Sequence, residues 1–74
     1  MTKQPRITGQ MLVRALRKIG FEVIRVKGSH HFLKHPDGRS TVIPIHRSET
    51  LGPGIAAQIL KDCELTVNEL MKLL

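Results

Sequence analysis

The sequence contains no tryptophan and no tyrosine, and Phe21 and Phe32 are its only aromatics. A platform that stacks successive bases of a single strand on aromatic rings is therefore poorly supported. Cys63 is the single cysteine, so no disulfide can form within the chain, which fits a reducing cytoplasm. No run approaches the roughly 18 apolar residues that span a bilayer. Met1–Arg6 is polar and no apolar segment follows it, so no secretory signal is expected. Acidic side chains are scarce as well: 6 Asp and Glu stand against 12 Lys and Arg, for a net charge of +6 over 74 residues. A chain this short buries only about 60% of the surface its unfolded form exposes, so its core is thin. Residues 1–74 read as one small domain, with room for one site and none for a dinucleotide-binding unit.

The charge is uneven. Residues 1–39 hold nine basic and two acidic side chains, while residues 40–74 hold three basic and four acidic. A positive excess in one half is the footprint of a phosphate-rich partner, although charge also serves solubility alone. With so few aromatics, contacts to phosphate and ribose are expected over base stacking.

Residues 1–7 form a polar lead-in. From Thr8 to Ile19 the apolar residues Leu12, Ala15, Leu16 and Ile19 recur at helical spacing. Thr8 suits the N-cap, and Gly20 the left-handed residue that ends such a helix. Arg14, Arg17 and Lys18 lie off that stripe, toward the end where positive charge favours the helix dipole. Phe21–Val26 is β-branched and aromatic enough for a strand, which Gly28-Ser29 breaks. His30–His35 and Ser40–Ile45 read as two further strands, joined by a turn at Pro36-Asp37-Gly38 into an antiparallel hairpin. Pro44 belongs at a strand end or a sheet edge, because it cannot donate to a ladder. After a loop over 46–54, Pro53 can open a second helix with Ile55, Ile59, Leu60 and Cys63 on its apolar face. Cys63 suits a small buried side chain better than a nucleophile. Residues 66–74 form a last helix, begun by a Thr66/Glu69 capping box and a Leu65/Leu70 staple. Its apolar side, Val67, Leu70, Met71 and Leu74, would by default seal the domain. The order α-β-β-β-α-α reads as α+β, an antiparallel sheet with helices on one face.

Four histidines fall within 17 positions: His30, His31, His35 and His46. Imidazole titrates near neutral pH and is the usual side chain for moving protons. Strand side chains alternate, so His30 and His31 must point to opposite faces, His30 with Phe32 and Lys34. His35 reads as an ordinary surface histidine. A zinc site needs three or four converging ligands, and no Cys or carboxylate accompanies these histidines at a recognised spacing, so no metal is expected. Around the pair stand Arg25, Lys27, Gly28 and Ser29. Cations, a turn with free amides, a hydroxyl and an imidazole together suit phosphoryl transfer, where positioning and charge stabilisation dominate.

Lys27-Gly28-Ser29-His30-His31, His35-Pro36-Asp37-Gly38 and Val42-Ile43-Pro44-Ile45-His46, followed by Leu51, Gly54 and Ile59-Leu60-Lys61, resemble the HicA (YcfA-like) mRNA interferase toxins. The resemblance runs from the first helix to about Leu65. It implies a double-stranded-RNA-binding-domain-like α-β-β-β-α fold with a three-stranded antiparallel sheet, here with a short extra C-terminal helix. It also implies ribosome-independent mRNA cleavage by a histidine of the second strand, and neutralisation by a HicB antitoxin. The family's Gly-Ser-His motif places that residue at His30, whereas members reading Gly-Ser-Asn-His would place it at His31. His30 is the preferred assignment, and only one of the two can face the substrate. Ala56-Ala57-Gln58 is uncharged where many relatives carry Lys or Arg.

The expected activity is thus a cytoplasmic, growth-arresting endoribonuclease without metal or small-molecule cofactor. His30 takes the ribose 2′-OH proton, and Arg25, Lys27, Gly28, Ser29 and Lys34 bind the RNA. No general acid is evident in the sequence; His31 or His46 could serve only if the fold brings it round. The alternatives are a non-catalytic module for double-stranded RNA, bound by shape and 2′-OH contacts, and an inactive relative that acts only in a repressing complex. An acidic antitoxin is expected to cover the His30 face, since its charge complements the basic half.

Overall fold

In a computed structural model, which describes residues 6–47 and 49–74, Thr8 caps the first helix through its hydroxyl, which accepts the Met11 N–H at 3.2 Å. Residues 1–5 of the expected lead-in lie outside the described residues. Helix α1 (Gly9–Lys18) buries Gly9, Leu12, Ala15 and Leu16, ends with Ile19 as C-cap, and carries Arg17 and Lys18 in its last turn. Gly9 is buried for a steric reason. A Cβ there would stand 2.5 Å from the Pro44 carbonyl oxygen, so the first turn of α1 lies directly on the end of the third strand.

Strands β1 (Glu22–Lys27), β2 (His30–Lys34) and β3 (Ser40–Pro44) form an antiparallel sheet in the order β1-β2-β3. Lys27 pairs with His30, leaving Gly28 and Ser29 as the turn. Gly28, at φ +58, takes the first central position, as a II′ hairpin turn requires. Lys34 pairs with Ser40 and His30 with Pro44. β3 is an edge strand, and Pro44 ends it where no neighbour needs its missing N–H. The register of β1 shifts between Val23 and Arg25. Leu33, Thr41 and Ile43 are buried on the face that meets the helices, whereas His30, Phe32, Lys34, Ser40, Val42 and Pro44 take the other face by alternation.

Helix α2 (Pro53–Cys63) runs beside β3, and α3 (Val67–Leu73) returns against α1. The capping box expected for α3 is present, with Glu69 N–H donating to Thr66 Oγ1 at 3.1 Å and Thr66 N–H donating to Glu69 Oε1 at 2.9 Å. The core joins Leu12, Leu16, Phe21, Leu33, Ile43, Ile59, Cys63 and Leu70. Fully burying each large side chain contributes about 1.5–3 kcal/mol.

Three details differ from the sequence reading. Leu70 seals the core, but Val67, Met71 and Leu74 of the expected apolar side of α3 are exposed. Ile55 is likewise exposed, because it lies one turn too early on α2 to reach the core beside Ile59. His35 is no ordinary surface residue. Its Nε2–H donates to the Ile19 carbonyl oxygen at 2.9 Å, and its ring stands edge-on to Phe21 with centroids 5.0 Å apart. Thus a long-range bond from β2's end satisfies an orphan carbonyl at the C-terminus of α1.

Candidate active site

Residues paired across antiparallel strands share a face, so the register fixes which side chains meet. Lys27, His30 and Pro44 make one row on the face away from the helices; Arg25, Phe32 and Val42 make the next; Glu22, Lys34 and Ser40 make the third. The expected RNA-binding residues Arg25, Lys27 and Lys34 therefore share the His30 face. Arg25 lies over the Phe32 ring, 5.7 Å from its centroid, a cation–π distance. Gly28 and Ser29 are the hairpin turn beside them. A Cβ at Gly28 would meet nothing within 4 Å, so the glycine answers to its φ and the space around it is open.

His30 and His31 have separate surroundings. His30 is exposed, and His31 is half-buried on the helix side. The His31 ring is engaged, with Nδ1–H donating to the Ser29 carbonyl oxygen at 3.2 Å. That same oxygen accepts the Ile45 N–H at 2.8 Å, which ties the turn to the residue after β3.

His30 opens on a cleft of about 310 Å³ lined also by Pro44, His46, Glu49, Thr50, Leu51, Gly52 and Ile55. The loop that supplies most of this wall is fastened by backbone bonds. Leu51 N–H donates to the Ile7 carbonyl at 2.8 Å, Thr50 forms an antiparallel bridge with Thr8, and Glu49 N–H donates to the His46 carbonyl at 2.9 Å. Arg47 takes a left-handed φ of +53° in that turn. Although His30, His46 and Glu49 line one cleft, no three His, Cys, Asp or Glu side chains among the described residues are grouped to hold a metal ion.

A second, larger groove of about 660 Å³ lies between the sheet and α2, lined among others by Ile24, Phe32, Val42, Ile55 and Gln58. Ile55 borders both openings. Its exposure thus has a place in the architecture: it is the ridge between them.

His46, expected to serve only if the fold brings it round, lines the same cleft as His30, whereas Glu49 was not among the expected site residues. The sequence does carry a signal for His46: closing the hairpin at Lys34 and Ser40 puts Pro44 opposite His30, two residues before His46. Glu49 has no such signal, since its position depends on the bonds between the 49–51 segment and residues 7–8. No helix among the described residues is long and apolar enough to cross a membrane.

Compared with models of protein families, residues 9–65 match the one described as the HicA toxin of bacterial toxin–antitoxin systems. The match runs from the first residue of α1 to the residue before the Thr66 cap. No curated protein matches the chain.

Proposed function

The chain belongs to the HicA toxin family, and from that premise we propose that it is a cytoplasmic endoribonuclease cleaving mRNA without a metal ion. His30 is the general base. Its neutral imidazole takes the proton of a ribose 2′-OH, and the oxygen attacks the adjacent phosphorus to leave a 2′,3′-cyclic phosphate and a 5′-OH end. Lys27, across the strand pair from His30, stabilises charge on the phosphorane, while Arg25 and Lys34 hold neighbouring phosphates. The observation that carries this reading is the exposed His30 in a row with Lys27, on the edge of a cleft. The antitoxin partner is a HicB-like protein that covers this same face and so blocks phosphate binding.

Purified protein incubated with single-stranded RNA should yield fragments with cyclic-phosphate ends, in EDTA as in its absence. An all-2′-deoxy strand should stay intact. His30→Ala should lower the rate by about 10²–10⁴-fold, as the loss of one general base does, while His31→Ala should leave most of it. Cleavage of the all-deoxy strand would sink the 2′-OH mechanism. Tight duplex binding without fragments, unaltered by His30→Ala, would replace the enzyme with a binding module.

A further inference from the structure

We propose that His46 is the general acid of this cleavage, working across the cleft from His30. The inference rests on the endoribonuclease reading and adds to it the group that protonates the departing oxygen.

Of the four histidines, His31 is bonded to the Ser29 carbonyl and half-buried on the helix side, and His35 is bonded to Ile19 and packed on Phe21. Among the described residues no hydrogen bond engages the rings of His30 and His46, and both residues are exposed. Those two residues line one cleft.

Backbone bonds hold the cleft on both sides. His30 is fixed by the ladder to Pro44, and Ile45 is fixed by its 2.8 Å bond to Ser29. His46 follows directly, and its carbonyl is bonded to Glu49 in the turn. The 49–51 segment is fastened in turn to residues 7–8 through the Thr8–Thr50 bridge and the Leu51–Ile7 bond. Neither histidine therefore depends on a free loop. Positioning of this kind supplies much of what catalysis by a pair of groups requires.

Lys27 stands beside His30, on the side where a phosphate would gain from a cation. Glu49 is the one acidic residue among those lining the cleft, two positions beyond the Arg47 turn from His46. The His30 side thus carries a cation, and the segment that follows His46 carries the cleft's one carboxylate.

The step balances. His30 accepts the proton of the 2′-OH, and the O2′ electron pair forms the new bond to phosphorus. The bond from phosphorus to O5′ breaks with its electron pair on oxygen, and the His46 imidazolium gives that oxygen its proton. His30 leaves charged and His46 neutral, and exchange with water restores both.

The test uses the full chain and two RNA substrates that differ at one atom. One has an ordinary phosphodiester at the cleaved position, the other a 5′-bridging sulfur, a leaving group that needs no protonation. His46→Gln is expected to cleave the ordinary RNA about 10²–10⁴-fold more slowly than the wild type. On the sulfur-bridged RNA it should approach the wild-type rate. His30→Gln should be slow on both. A His46→Gln variant as fast as wild type on ordinary RNA overturns the proposal while leaving the nuclease reading intact. So does a variant equally slow on both substrates with an unchanged thermal midpoint, because the ring would then serve some other step. Rescue of His30→Gln by sulfur instead would reverse the two roles and overturn the assignment. A wild type that cuts neither RNA removes the reading itself.

Discussion

Cys63 is fully buried at the last turn of α2, with its carbonyl oxygen accepting a 2.6 Å bond from the Arg39 guanidinium. Burial pushes its thiol up to about 11, the Asp62 charge adds to the shift, and Arg39 opposes it. Since the thiolate is the reactive form, this cysteine is inert while the fold is intact. The unfolded thiol ionises near 9.0, so the native state binds more protons between that value and about 11. Its contribution to stability is whole below pH 9 and is lost as pH rises through the folded value. A disulfide reagent at pH 8 should therefore label Cys63 at the rate of unfolding and no faster. Immediate labelling of the native protein would show that the thiol is accessible. At this scale much of the site could be read in advance. Alternation separates His30 from His31, and the burial of Leu33 decides which of them faces the helices. What alternation does not contain is the Ile19 carbonyl that claims His35, because that partner lies 16 residues away in the chain.

Gly9 opens α1 against the end of β3, and the contact decides where the residues after β3 can go. A glycine inside a helix normally costs about 0.5–1 kcal/mol relative to alanine, so Gly→Ala there should stabilise. Here the added carbon would meet the Pro44 oxygen at 2.5 Å and the Ile45 side chain at 2.9 Å. A backbone oxygen cannot swing aside, and overpacking of this kind costs about 1–3 kcal/mol. Gly9→Ala is thus expected to lower the urea midpoint, with a second consequence at the cleft. Ile45 precedes His46, so cleavage should fall along with stability. An increase in stability would show that α1 and β3 can part at no cost. The elements themselves were legible because local signals agreed: Thr8 and Thr66 as caps, Gly28-Ser29 and the 36–38 turn as hairpin connections, Pro53 at a helix start. Their packing was less so. The stripe of α3 is helical in spacing, yet of its expected members only Leu70 is buried, and Leu73, three residues on, packs against the core instead of Met71 and Leu74. The register shift in β1 left no mark in its β-branched run, since an extra residue in a strand alters pairing and not composition.

Across the whole molecule, the basic half of the chain does not form one patch. Arg25, Lys27 and Lys34 lie on the sheet face that carries His30, whereas Arg14 and Arg17 are exposed on α1, in the helical layer on the other side of the sheet. A net charge of +6 draws RNA toward the protein from any side, but only charges that touch phosphates release counterions on binding. The two sets can be separated by salt. For a single strand each neutralised phosphate contributes about 0.7 to the slope of log affinity against log salt, so losing two contacts should reduce it by about 1.4. In a His30→Ala background, slow enough to leave the RNA whole during the measurement, Arg25→Gln with Lys34→Gln should show this smaller slope. Arg14→Gln with Arg17→Gln removes the same net charge and should leave the slope unchanged. Fluorescence anisotropy of a labelled RNA over a range of potassium chloride concentrations measures both. Equal losses in the two double variants would mean that the substrate is held by the field of the whole molecule. A loss confined to the helix pair would move the RNA to α1 and take His30 out of its path.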